Sequence, residues 1–128
     1  MSGDRPDRGA SVPTDWNAKV VVHRLGDGAA LTPDLVAALE RLSNPETARP
    51  LVLDFSDVSY MASSHLAEVL RIRKRATERR TGLVLCGLSE HIWSVMLLTG
   101  LDRILRTAPG PEAAQQMLLV ETDTGGAI

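Results

Sequence analysis

The chain has a single cysteine, Cys86, so no internal disulfide is open to it and packing alone must hold its core. Aromatic residues are scarce: one Phe, one Tyr and two Trp among 128 residues. The interior must therefore be built from Leu, Val, Ile, Met and Ala. No apolar run reaches the ~18 residues that a membrane-spanning helix needs. Ile92 to Leu98 is interrupted by Ser94 and followed by Gly100. Neither sign of charge dominates, with 14 basic against 16 acidic residues. That balance argues against nucleic acid or an anionic membrane as a partner chosen by net charge. The opening Met1-Ser-Gly-Asp-Arg-Pro6 has no apolar stretch of the kind a secretory signal carries, which makes the cytoplasm the expected compartment.

What the chain does have is apolar patterning enough for one core, at a length within the usual range of roughly 100–150 residues for one domain. Residues 1–15 mix Gly, Pro, Ser and charge without period and are expected to be a flexible tail, with the domain over 16–120 and a frayed end over 121–128. Lys19 to Leu25 is rich in β-branched residues and precedes Gly26-Asp-Gly28, predicting a strand and a turn. Leu31-Thr-Pro-Asp34 predicts a helix start with Thr32 as N-cap and Leu31 stapled to Val36. Leu35, Val36, Leu39 and Leu42 would form its apolar face.

Leu51-Val-Leu-Asp-Phe55 is apolar at nearly every position, as a strand covered on both faces should be. A helix over Ser64–Arg80 follows, with Leu66, Val69, Leu70 and Ala76 inward, cations crowding its end, and Gly82 stopping it. Leu83 to Cys86 predicts a third strand and Glu90 to Thr99 a helix, with Ile92, Val95, Met96 and Thr99 on one side and Gly100 in the left-handed position after it. Ile104 to Thr107 is expected as a short last strand and Pro111 to about Val120 as a last helix. Strands alternating with helices at this spacing imply an α/β fold: a mainly parallel or mixed sheet of four to five strands with about four helices.

The segment that carries chemistry is Ala62-Ser-Ser-His65, which leads from the buried strand into a helix. The first amides of a helix lack intrahelical acceptors and sit at the positive end of its dipole, so a hydroxyl or phosphate there is well received. Ser63 and Ser64 are therefore the candidate functional residues. The structural alternative is that one of them is simply the N-cap, worth about 1 kcal/mol.

An esterase-like reading would make Ser64 the nucleophile, His65 the base and Asp54 or Asp57 its orienter. Neighbours on a helix point about 100° apart, and the Gly-x-Ser-x-Gly elbow is missing, so geometry counts against it. His23, His65, His91 and Cys86 lack metal-ligand spacing. Gly26-Asp-Gly28 has neither the third glycine of a dinucleotide fingerprint nor a phosphate-loop lysine. The basic run Arg71 to Arg80 reads first as a solvated, dipole-compensating helix end. Trp93 and Leu97 share a face that either completes the core or forms a docking patch, with core packing the expectation.

The order of elements, with Leu51-Val-Leu-Asp-Phe-Ser-Asp-Val58, the Ser63-Ser64 pair followed by Leu66, Leu83-Val-Leu-Cys86 and Leu98-Thr-Gly-Leu-Asp102, resembles the STAS domain of anti-sigma-factor antagonists over about Val20 to Leu118. The resemblance implies a non-enzymatic cytoplasmic signalling protein without a cofactor. It implies phosphorylation at the position of Ser64, with Ser63 second, by a serine kinase of the histidine-kinase-like ATPase fold that is also the anti-sigma factor. Reversal would fall to a serine phosphatase, and other STAS proteins are further possible partners; direct nucleic-acid contact and membrane insertion are not implied. Ser63, His65, Ala67, Glu68 and Arg71 would touch the partner. The family's Asp before the serine pair is Ala62 here and its Gly after the pair is His65. The alternative is an interaction or scaffold module that is not phosphorylated, of the stressosome or transporter-accessory kind.

Overall fold

A computed structural model describes residues 19–121. Strands β1 (Val21–Arg24), β2 (Leu51–Asp54), β3 (Leu83–Cys86) and β4 (Thr107–Ala108) alternate with helices α1 (Leu31–Ser43), α2 (Ser63–Glu78), α3 (Glu90–Thr99) and α4 (Pro111–Val120). Short 3-10 turns at Gly28–Ala30 and Leu101–Arg103 lead into α1 and towards β4. The strands form one parallel sheet in the order β1-β2-β3-β4. Val21, Leu51 and Leu83 stand side by side in register, as do Asp54 and Cys86 across β2 and β3.

The pleat explains why the strands read as unbroken apolar runs. One face presents Val21, Leu51, Leu53, Leu83 and Leu85 to α1, α2 and α3. The other presents Val20, Val22, Val52, Val84 and Cys86 to Ala114 and Leu118 of α4. Each residue of β2 and β3 is buried, as a strand covered on both faces must be. Because every strand runs the same way, each helix begins at the carboxyl edge of the sheet, the edge at which open α/β sheets place their sites.

The end caps depart from expectation in several places. Thr32 does not cap α1, which starts two residues earlier than expected, at Leu31 with Ala30 as its N-cap. The carboxylate of Asp34 instead accepts the Gly26 N–H at 2.7 Å, tying the turn to the first helical turn. Val36 faces outward, and Ala38 takes the core position expected of it. Helix α2 runs from Ser63 to Glu78, not from Ser64 to Arg80, and its inward stripe is Val69, Ile72 and Ala76, while Leu66 and Leu70 are half-buried. Gly82 does not end it. Arg80 takes the left-handed conformation, φ 57°, while the Thr81 N–H closes back on the Ala76 carbonyl.

The predicted strand at Ile104–Thr107 lies further on, at Thr107–Ala108, because the chain first makes the 3-10 turn after Gly100. Helix α3 begins and ends as predicted, with Ser89 as N-cap accepting the Ile92 N–H and Gly100 at φ 78°. Thr99 is exposed rather than inward. Helix α4 matches its predicted span, and the expected tails at 1–15 and 121–128 lie, apart from Glu121, outside the described residues.

Candidate functional site

The connection from β2 to α2 is held at several points before the serines are reached. Asp54, 4% exposed at the end of β2, accepts the Ser56 N–H at 3.0 Å and the Ser56 hydroxyl at 2.5 Å, forming a tight turn. Phe55, Val58 and Met61 anchor the same connection in the core. Gly87, φ 70°, passes so close that a Cβ there would lie 2.5 Å from Ser56 Oγ, so the turn after β3 requires glycine.

Two pairs of side chains then clamp the connection to the end of β1. The Arg24 guanidinium donates to both oxygens of Asp57, at 2.9 and 3.1 Å. Both partners are more than half exposed, so the pair orients the loop more than it stabilises it, in the range of about 0–1 kcal/mol. Asp27 accepts the Ser59 hydroxyl at 2.9 Å and the Ser59 N–H at 3.2 Å, and these donors hold its carboxyl below the usual carboxylate range. Tyr60 stacks on His91 of α3 with ring centroids 5.1 Å apart.

Ala62 is the N-cap of α2, at φ −81° and ψ 168°, and has no oxygen with which to cap. His65 takes over part of the work. Its Nδ1 accepts the Ala62 N–H at 3.0 Å, the backward arm of a capping box in which Glu or Gln is the usual residue. An Nδ1 that accepts must be bare, so the neutral ring carries its proton on Nε2, which then donates to Thr32 Oγ1 at 3.0 Å. His65 thus fastens the start of α2 to the start of α1.

Ser63 and Ser64 occupy the first two helical positions, and both are exposed. Neither serves as the N-cap, so the capping reading of these residues fails. Ala67 is exposed, and Glu68, half-buried, pairs with exposed Arg71 at 2.7 Å. Ser63, Ser64, His65, Ala67, Glu68 and Arg71 therefore lie within the first turns of one helix at the carboxyl edge of the sheet. The esterase arrangement is not assembled, because both ring nitrogens of His65 are engaged by Ala62 and Thr32. No metal-binding cluster of His, Cys, Asp or Glu occurs among the described residues, and no helix among them is long and apolar enough to cross a membrane.

A family model described as "Mlab, STAS domain" matches residues 28–107, from the turn before α1 to β4. The chain belongs to the STAS domain family. Its fold is shared with an anti-sigma-factor antagonist (STAS) domain protein from Planctomyces limnophilus, at TM-score 0.66 and 19% identity over 78% of this chain and 91% of that one. A proposed anti-sigma factor antagonist from Thermotoga maritima gives TM-score 0.67 and 20% identity over 78% and 87%. A variant of RsbS from Moorella thermoacetica in which glutamate replaces a serine gives 0.66 and 18% over 82% and 94%. At these identities the likeness is one of fold.

Several features of this STAS domain were not found from the sequence alone: the Asp57 and Asp27 clamps, the back-cap by His65 and the stacking of Tyr60 on His91. Only the back-cap left a local signal, a hydrogen-bonding side chain three residues after Ala62, at the capping-box spacing. Trp93 and Leu97, expected in the core, are 38% and 52% exposed.

Proposed function

We propose that this STAS domain works by binding, as an anti-sigma-factor antagonist whose α2 amino-terminal corner docks on a serine kinase of the histidine-kinase-like ATPase fold, and that Ser64 is its control point. One observation carries the reading. Both serine hydroxyls are exposed at the head of α2, while capping is left to Ala62 and His65. A phosphate on Ser64 would add about −1.5 to −2 charges and three acceptors. The open amides of the first turn accept that charge locally, so the domain stays folded while an acidic or closely packed partner surface is driven off. Ser63, His65, Ala67, Glu68 and Arg71 form the surface around it, and a serine phosphatase would restore binding.

A second reading draws on the departures at Ala62 and His65. A His65 ring tied to Ala62 and Thr32, with no carboxylate before the serine pair, suits an interaction or scaffold module that no kinase modifies. The matched family description, "Mlab, STAS domain", is compatible with that reading. The two readings separate on one experiment. The full chain and its Ser64→Ala and Ser64→Asp variants are recovered from the host with their bound partners, the serine-bearing peptide is mapped for phosphate, and the recovered partner is titrated against each purified protein. The switch predicts phosphate on Ser64 and at least tenfold weaker binding by Ser64→Asp than by Ser64→Ala. Equal affinities and no phosphate overturn it in favour of the scaffold.

A further inference from the structure

Among the described residues, the buried side-chain atoms without a hydrogen-bond partner are Nδ1 and Nε2 of His23 and Nε of Arg41. They share one neighbourhood, since Arg41 lies close enough to His23 to oppose a charge on its ring. Arg41 stands in the last turn of α1, where a cation ordinarily answers the helix dipole. That task is already met from α2. Arg79 donates from Nε to the Leu42 carbonyl at 3.0 Å and from a second nitrogen to the Ser43 carbonyl, while Arg75 donates to the Ser43 hydroxyl. The Arg41 side chain, half-buried, makes no hydrogen bond and no ion pair with any described residue. A buried donor left open in this way is costly unless something outside the chain answers it.

The loop after α1 brings a second guanidinium to the same place. Asn44 accepts the Glu46 N–H through Oδ1 at 2.9 Å, and its carbonyl accepts the Thr47 and Ala48 N–H groups at 3.0 and 2.9 Å. Thr47 Oγ1 donates to the Arg41 carbonyl at 2.7 Å, which fastens the loop back onto the last turn of α1. Arg49 ends that loop. Burial first, and then the charge of Arg49, lower the pKa of Arg41. Arg49 is exposed and spends one long bond, from Nη1 to the Glu46 carbonyl at 3.4 Å. Neither Glu40 nor Glu46, the acids nearest in sequence, forms an ion pair with either arginine. A fixed loop thus sets two guanidinium groups near one another with no carboxylate between them.

We propose that the end of α1 and the loop after it bind a phosphate oxyanion between Arg41 and Arg49. A guanidinium presents its donors in a planar fork that matches phosphate oxygens two at a time, and a doubly charged tetrahedral group can engage two forks at once. Bound there, the anion relieves the repulsion between the two arginines. A soluble phosphate monoester and the headgroup of phosphatidic acid offer the same oxygens, so the chemistry of the site is common to both. Helix α1 begins at the carboxyl edge of the sheet, which places its last turn at the edge away from Ser64. The site uses no residue of the α2 head and does not depend on the reading of Ser64.

Inorganic phosphate titrated into the full chain, with sodium chloride adjusted to hold ionic strength constant, tests the site through the arginine Nε–H signals in nitrogen-edited NMR. The signals of Arg41 and Arg49 are expected to shift together and to saturate, with a Kd of about 1 mM. Arg41→Lys and Arg49→Lys keep the charge and lose the fork; each should weaken binding about tenfold with unchanged circular dichroism, while Arg103→Gln should bind as the wild type does. Shifts that chloride alone reproduces, shifts that survive both lysine variants, or the absence of any saturable shift overturn the proposal. Phosphatidylcholine vesicles containing phosphatidic acid form the second arm. A phosphate response joined by co-sedimentation that Arg41→Lys abolishes supports the site with a lipid headgroup as its source, and a phosphate response without co-sedimentation supports it with a soluble monoester. Vesicle binding without a phosphate response overturns the site, because a diffuse positive surface would account for it.

Discussion

His23 is the residue whose replacement should change stability most informatively. It sits in edge strand β1, 3% exposed, beside Leu53 of β2, and neither ring nitrogen has a hydrogen-bond partner. Burial lowers its pKa from 6.5 to about 4; Asp34 opposes that shift and Arg41 adds to it. The unfolded chain therefore binds a proton on His23 that the folded chain refuses, and stability falls as pH drops through 6.5 towards 4. At 1.36 kcal/mol per pH unit the full effect is about 3 kcal/mol, and about 2 kcal/mol of it is already lost at pH 5.

His23→Leu removes the titration and also the two unpaired polar atoms, whose burial costs on the order of 1–3 kcal/mol even at neutral pH. Urea unfolding of both proteins at pH 7.5, 6 and 5 is the assay, since other titrating groups cancel in the difference. The variant is expected to be about 1 kcal/mol more stable than the wild type at pH 7.5 and about 3 kcal/mol more stable at pH 5. Parallel pH profiles for the two proteins would refute the assignment of a buried neutral imidazole.

Arg80 holds φ 57° just after α2, where glycine carries no Cβ penalty, so Arg80→Gly should raise stability by about 0.5–1 kcal/mol; a loss in thermal or urea unfolding would contradict this. Burial, with Asp54 next to it, pushes the Cys86 thiol up to about 12, so Ellman's reagent at pH 8 should label the native protein only at the rate of opening and the urea-unfolded protein at once. Stoichiometric labelling within minutes without denaturant would count against the burial of this strand.

What could be read from the sequence was whatever one local interaction decides. The run Leu51 to Phe55 admits one interpretation because a strand covered twice has no polar face to show. Gly100 ends α3 where expected because a left-handed glycine has no competitor there. The starts of α1 and α2 were misplaced where two local solutions compete. Thr32-Pro33 is a sound helix start in isolation, but the 3-10 turn Gly28–Ala30 runs directly into α1 at Leu31, and Asp34 accepts the Gly26 amide from within the first helical turn. Val36 and Ala38 exchanged roles because periodicity gives a face and only packing against α2 gives its centre. Trp93 and Leu97 are expected inward because apolar residues usually are, but the core claims only Ile92 and Met96 on this short helix, and periodicity alone does not say how wide a stripe the sheet will cover.

The parallel topology also bears on how a phosphate at Ser64 would act. Since every helix begins at the carboxyl edge, the acids that suit helix starts gather there: Asp34 in α1, Glu90 in α3 and Glu112 in α4, joined by Asp27 and Asp57 from the loops. At the other edge α2 ends in Arg79 and Arg80, after the Arg75–Glu78 pair. The nearby cations at the acidic edge are already committed, Arg24 to Asp57 and Arg71 to Glu68. A phosphate on Ser64 would therefore find helix amides but no uncommitted guanidinium within its own loop and first turns, and its charge would be presented outward. On that argument the proposed switch acts on the partner's surface and leaves the domain's own packing as it was.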